Sequence, residues 1–175
     1  MLNNKTIAVV VPTYNEESQI GLVIDTMPKF VDRIILVNDC STDSTLDKMN
    51  SYIDSKHNLS NLKLENNLEN NITENIYNYA ERILQQKNRE EVSNYSHIEI
   101  LNNNQKTDRI IIINHIKNSG VGSAISSGYK WCKDHDIDCV AVMAGDGQMD
   151  PGELESICSP VINDGIDYVK GNRLA

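Results

Sequence analysis

The stretch Ile7-Ala8-Val9-Val10-Val11-Pro12-Thr13-Tyr14-Asn15-Glu16-Glu17 opens with five apolar residues and then turns polar. An apolar run with no polar alternation has no water-facing side, as expected of a parallel strand covered on both faces. Pro12 ends the run. Asn15 is a good N-cap, so a helix is expected to begin after it. Ile20, Val23, Ile24 and Met27 recur at spacings of three and four and form that helix's inner face, and Pro28 helps to stop it.

The same unit repeats along the chain. Ile34-Ile35-Leu36-Val37 reads as a second buried strand, followed by a helix capped by Ser41 or Thr42 with Leu46, Met49 and Ile53 inward. Four isoleucines between Arg109 and Asn114 form a third strand. Residues 120–132 read as a helix with Val121, Ala124, Ile125, Gly128 and Cys132 inward. Cys139-Val140-Ala141-Val142-Met143 is a fourth strand. Asp150-Pro151-Gly152-Glu153 starts a further helix, with Asp as N-cap, Pro at the first helical position and an acid in the first turn. Tyr168-Val169 reads as a last short strand. Strands alternating with helices predict an α/β fold with helices on both sides of a mostly parallel sheet. In such folds ligands sit at the carboxyl ends of the strands, near a switch in strand order.

Residues 56–106 interrupt the rhythm. The segment is rich in Asn and reads as an insertion, less ordered than the sheet. It holds one amphipathic pattern, Ile72, Ile76, Tyr79, Ala80 and Ile83, and a short extra strand at His97-Ile98-Glu99-Ile100-Leu101. The whole chain, 1–175, is read as one domain carrying this insertion.

The chain's 175 residues are enough for one domain with a sizeable core, and 39% are hydrophobic. The net charge of −9 and the lack of any Lys/Arg run argue against a nucleic-acid partner. The same balance argues against charge-driven binding to an anionic membrane. An acidic protein that binds a diphosphate needs a metal ion or a helix N-terminus to do so. Cys40, Cys132, Cys139 and Cys158 show no C-x-x-C spacing, so reduced thiols of a cytoplasmic protein are expected. No run is long enough to span a membrane.

The strand ends collect polar and acidic residues. They are Pro12-Thr13-Tyr14-Asn15-Glu16-Glu17, Asn38-Asp39-Cys40-Ser41-Thr42-Asp43-Ser44-Thr45, Asn118-Ser119-Gly120-Val121-Gly122, Ala144-Gly145-Asp146-Gly147-Gln148, and Lys170-Gly171-Asn172-Arg173. Each alone reads as a helix cap or a tight turn. All of them in order, each at a strand terminus, point to one ligand site.

The pieces VVVPTYNEE, ILVNDCSTDST, NSGVGSAISSGY, VMAGDGQMDP and DYVKGNR together resemble family 2 glycosyltransferases, in particular the polyprenyl-phosphate sugar synthases such as dolichol-phosphate mannose synthase. The resemblance covers residues 5–55 and 108–175 and leaves the insertion unmatched. The resemblance implies a GT-A fold, a Rossmann-like three-layer α/β/α arrangement. It also implies transfer of a sugar, with inversion, from a UDP- or GDP-sugar to a polyprenyl phosphate or glycan acceptor. Asp39 matches the carboxylate that accepts a hydrogen bond from the base, a fitting partner for an N–H edge. Pro12, Tyr14 and Glu16 match the lining of the base and ribose pocket. Gly122 falls in the glycine motif and joins the substrate-binding set. Asp146 matches the last Asp of the DxD motif that holds Mg²⁺ or Mn²⁺, and Gln148 a further metal or phosphate contact. Both are oxygen ligands of the kind such cations take. Arg173 matches a position near the diphosphate or acceptor phosphate. Peripheral association with the cytoplasmic membrane face is expected of the full-length protein.

The chain departs from the family pattern in places. Ala144 replaces the first acid of DxD, leaving one firm carboxylate. Asn38 replaces the first Asp of an Asp-Asp pair, keeping a polar side chain without its charge. The resemblance places an acceptor-binding half after Ala175, and no residue reads as a general base.

Three other enzyme classes fit less well. A Rossmann dehydrogenase needs G-x-G-x-x-G in the first turn, where this chain has no glycine, and a P-loop NTPase needs G-K-[ST], which is absent. A sugar-phosphate nucleotidyltransferase shares the layered fold but carries a Gly-rich, Arg-containing first loop. An alternative of another class is a donor-binding module that is catalytically silent by itself.

Overall fold

The computed structural model describes residues 1–53, 83, 86–87 and 95–172. Five strands form one sheet: β1 (Ile7–Thr13), β2 (Arg33–Asn38), β3 (Ile98–Ile100), β4 (Ile110–His115) and β5 (Cys139–Val142), in the order β3-β4-β2-β1-β5. All neighbours pair in parallel except β3, which runs antiparallel to β4. The helices are α1 (Ile20–Asp25), α2 (Thr45–Ile53), α3 (Val121–Asp134) and α4 (Leu154–Asp164), the last entered through a 3₁₀ turn at Pro151–Glu153.

The apolar runs are continuous because the sheet has two covered faces. Ile7, Val9, Val11, Ile34, Leu36, Ile110 and Ile112 pack on one side with Ile20, Val23, Ile24 and Met27 around α1, Met49 of α2, and Leu154 and Cys158 of α4. Ala8, Val10, Ile35, Val37, Ile111 and Ile113 pack on the other with Ala124, Trp131 and Cys132 of α3. Successive strand residues point to opposite faces, so each strand feeds both cores. Each fully buried Ile of β4 contributes about 1.5–3 kcal/mol by burial. The result is the expected three-layer α/β/α architecture.

The extra strand expected at 97–101 forms as β3. The segment 95–106 is thus built into the sheet edge, where the buried Asn102 bonds Ile110 and Ile112. The helix pattern at 72–83 lies outside the described residues except for Ile83.

Four local expectations are corrected. Asn15 is not an N-cap: α1 begins only at Ile20, and Asn15 has φ 56°. Ser41 and Thr42 do not cap α2. Instead Asp43, two residues before the helix, accepts from the amide and hydroxyl of its first residue, Thr45, and the Ser44 carbonyl accepts the first helical bond, from Lys48. Val121 is exposed rather than inward, since it starts α3 ahead of the part that packs on the sheet. Tyr168-Val169 forms no strand. Tyr168 is 75% exposed, and the segment follows α4 without a ladder partner.

The connections decide where a crevice opens. α1, α2 and α4 lie on one face and α3 on the other. The chain therefore leaves β2 toward one face and leaves its neighbour β4 toward the other. That divergence marks the carboxyl ends of β2 and β4 as the switch in strand order, the position at which α/β sheets take ligands.

Candidate donor-binding edge

Two loops at this edge are locked together. Asn15 Oδ1 accepts from the Thr42 amide at 2.8 Å and hydroxyl at 3.3 Å, and the Asn15 amide donates to Ser41 Oγ at 3.0 Å. The Glu16 amide donates to Thr45 Oγ1 at 2.8 Å, and the Ser44 amide to Glu17 Oε2 at 3.0 Å. Burial pushes the Asp43 carboxyl up, but hydrogen bonds from Thr45 and the Glu17 amide outweigh it and hold its pKa below the ordinary value. These bonds tie the loop after β1 to the loop after β2; Pro12, near the end of β1, and Glu16 are half-buried, and Tyr14 is 47% exposed.

Asp39 stands at the end of β2 and is buried. Its Oδ1 accepts from His115 Nδ1 at 2.7 Å and from the Ser119 amide at 2.9 Å, and its Oδ2 accepts from the Gly120 amide at 2.7 Å. Gly120 has φ 86°, a left-handed conformation that glycine takes without strain and that turns this amide toward the carboxylate. Below this layer, Asn38 Nδ2 donates to Asn114 Oδ1 at 2.7 Å, joining β2 to β4 with neutral groups. A second carboxylate in place of Asn38 would crowd two negative charges into the crevice.

The loop after β5 presses on the end of β1. The Gly145 amide donates to the Pro12 carbonyl at 3.3 Å. A Cβ on Gly145 would lie 3.0 Å from Thr13 Oγ1, so the close approach depends on glycine. Gly147 takes φ 72° and faces Gln19. Between them Asp146 is half-buried, and its Oδ1 accepts the Gln148 amide at 3.0 Å. A carboxylate has about four lone-pair sites, so this turn leaves room on Asp146 for a cation. No group of three or more His, Cys, Asp or Glu among the described residues could hold a metal alone.

The edge therefore gathers Pro12, Tyr14, Glu16, Asp39 and Asp146 on the ends of β1, β2 and β5. Asp39 and Asp146 follow β2 and β5, the two strands that flank β1 and lie two strand spacings, about 10 Å, apart. Gly122 is exposed on the first turn of α3, with open space around it. Arg173 lies outside the described residues. His115 and Ser127 were not anticipated from the sequence, although the isoleucine run does continue through Asn114 to a histidine at its carboxyl end.

Among the described residues no helix is long and apolar enough to cross a membrane. The sequence model described as Glycosyl transferase family 2 matches residues 8–76 and 89–175. The match interrupts only at 77–88, so it extends into much of the segment that the motifs left unassigned. The chain is 35% identical over 66 residues to the UDP-N-acetylglucosamine--dolichyl-phosphate N-acetylglucosaminyltransferase of Methanococcus voltae, covering 38% of this chain and 26% of that protein. It is 30% identical over 69 residues to an uncharacterized protein of Methanocaldococcus jannaschii, covering 39% of this chain and 28% of that one. The matches thus span about a quarter of the length of these curated relatives. The sheet order, the loops at its carboxyl edge and the match over most of the chain agree: this protein is an α/β protein of the GT-A type and belongs to glycosyl transferase family 2.

Proposed function

We propose that this edge binds a nucleotide diphosphosugar, a UDP- or GDP-sugar, and that the protein transfers its sugar with inversion to a polyprenyl phosphate. The observation that carries the reading is the placement of Asp39 and Asp146 on either side of β1. One is a carboxylate set among N–H donors in the crevice, and the other a half-buried carboxylate in a glycine turn. The base sits against Asp39, with Pro12, Tyr14 and Glu16 along the nucleoside and Gly122 at its margin. The diphosphate lies toward Asp146 and Gln148, with Arg173 as a phosphate contact. The relative from Methanococcus voltae, whose name specifies a UDP-sugar and a dolichyl phosphate, supports this choice of donor and acceptor.

Asp146, with Gln148, would hold Mg²⁺ or Mn²⁺, and because one carboxylate and one amide cannot fill six positions, the cation would bind together with the donor rather than to the protein alone. When bound, the cation neutralises charge on the leaving diphosphate. In the transfer, an acceptor phosphate oxygen bonds to the anomeric carbon from the face opposite the diphosphate. The bond from that carbon to the diphosphate oxygen breaks, and the diphosphate leaves with the electron pair. An acceptor phosphate is already anionic, so no general base is required. What the chain supplies is alignment of the donor. A bilayer-borne acceptor puts the working protein at the cytoplasmic membrane face.

The test is calorimetric titration of UDP- and GDP-sugars in Mn²⁺ and in EDTA, with transfer to a polyprenyl phosphate assayed in parallel. The reading predicts that nucleotide and Mn²⁺ each tighten the other by the same factor, and that Asp146→Asn removes the coupling. Equal affinity in EDTA and Mn²⁺ would take the metal away from Asp146. Coupled binding without transfer would make this chain a donor-binding module.

A further inference from the structure

We infer that His115 is a positioning residue for donor recognition: it fixes the Asp39 carboxylate so that a single Oδ2 lone pair remains to accept the base N–H. The inference rests on the proposed reading of Asp39 as the base acceptor.

A carboxylate offers about four lone-pair sites and no donor. His115 Nδ1 and the Ser119 amide take two sites on Oδ1, and the Gly120 amide takes one on Oδ2. One site on Oδ2 is left. The three donors come from two elements, the end of β4 and the loop that enters α3, so together they set both the position and the twist of the carboxylate. The ring is held from its far side as well: His115 Nε2 lies 2.9 Å from Ser127 Oγ. His115, Ser127 and Asp39 are 1%, 2% and 3% exposed, so water does not compete for these bonds. Because Asp39 can only accept, the proton between the two side chains is on Nδ1. Ser127 of α3, His115 of β4 and Asp39, just past the end of β2, therefore form one buried chain.

Without the ring, Oδ1 loses a donor and the carboxylate can turn. Its open lone pair is then no longer held in place before a ligand arrives. The consequence is selective. The effect falls on nucleotide affinity, and it depends on a donor at the Nδ1 position rather than on any polar group in the ring's place.

Asparagine and glutamine separate these cases. An Asn amide nitrogen reaches the place of Nδ1, whereas a Gln amide reaches the place of Nε2. Calorimetric titration of UDP and GDP is compared for wild type, His115→Asn, His115→Gln and Asp39→Asn, with thermal unfolding of each. Expected is a loss of roughly 5- to 150-fold in affinity for the preferred nucleotide in His115→Gln, the range that a lost buried hydrogen bond gives, and a clearly smaller loss in His115→Asn, which keeps the donor at the Nδ1 position but not the bond to Ser127. His115→Gln is expected to keep a folded transition. Equal loss in both His115 variants, or no loss in His115→Gln while Asp39→Asn binds weakly, would overturn the positioning role alone. Wild-type affinity in Asp39→Asn would overturn the reading of Asp39 and this inference with it. If His115→Gln does not fold, Ser127→Ala carries the test. It frees the far side of the ring and is expected to weaken binding in a folded protein, and unchanged affinity there would contradict the inference.

Discussion

A Cβ placed on Gly128 would lie 2.4 Å from Cγ1 and 2.8 Å from Cγ2 of Val10. The glycine on α3 is therefore what lets the helix sit directly on β1, the strand whose end leads into the candidate site. Gly128→Ala gains helix propensity, about 1 kcal/mol at most. The clash is larger, because Val10 is fully buried and overpacking a core costs about 1–3 kcal/mol or more. The expected outcome in urea unfolding is a net loss of stability, partly recovered when Val10→Ala is added. A Gly128→Ala protein as stable as wild type would contradict this packing.

Asn102 holds the β3 edge by three side-chain bonds. Oδ1 accepts from the Ile112 amide at 2.7 Å, and Nδ2 donates to the Ile110 carbonyl at 2.7 Å and to Asp108 Oδ2 at 2.9 Å. Asn102→Ala takes the acceptor from a buried amide, at about 1–3 kcal/mol for the group. Asn102→Asp keeps that acceptor but faces Asp108 and a carbonyl with a carboxylate, so it is expected to destabilise at neutral pH as well. Amide hydrogen exchange at Ile112 checks the cause: it should accelerate in Asn102→Ala.

Asp138 links the start of β1 to the start of β5. A hydrogen bond from Lys5, helped by the Thr6 amide and hydroxyl against some burial, lowers its pKa from 3.8 to about 2. A depressed carboxylate pKa stabilises the fold above the unfolded value and loses that contribution as pH falls through the folded one. The stability gap between wild type and Asp138→Asn should thus be full at pH 5–7 and shrink between about pH 4 and pH 2. The carboxylate is partly exposed, so the gap will be modest. Chemical denaturation across this range measures it. A gap unchanged down to pH 2 would rule out the Lys5 and Thr6 contacts as its source.

The layers were legible in the sequence because burial on two faces leaves a direct mark. Ile110-Ile111-Ile112-Ile113 has no polar alternation, and all four side chains are buried in one core or the other. The inner face of α1 was legible for the related reason that Ile20, Val23, Ile24 and Met27 follow the helical period. Caps were less so, since Asn15, Ser41 and Thr42 suit a cap and suit equally the cross-loop bonds they make, and spacing alone does not choose between them. Tyr168-Val169 has strand-forming residues without a partner strand among the described residues, and side-chain preference does not make a ladder. His115 was hidden because its role depends on Asp39 and Ser127, one 76 residues before it and one 12 residues after it on α3. The motif residues Asp39 and Asp146 were legible as a pair of loop acids. Their separation by β1 follows only from the strand order.

The central claim is that the crevice at the end of β2 reads the base of a nucleotide through Asp39. Calorimetric titration of UDP and GDP into wild type and Asp39→Ala, in Mg²⁺, tests it most directly. The account predicts that the preferred nucleotide binds Asp39→Ala about 5- to 150-fold more weakly, the cost of leaving a buried base donor without its acceptor. Equal affinity for both proteins, with Asp39→Ala still folded, would contradict it.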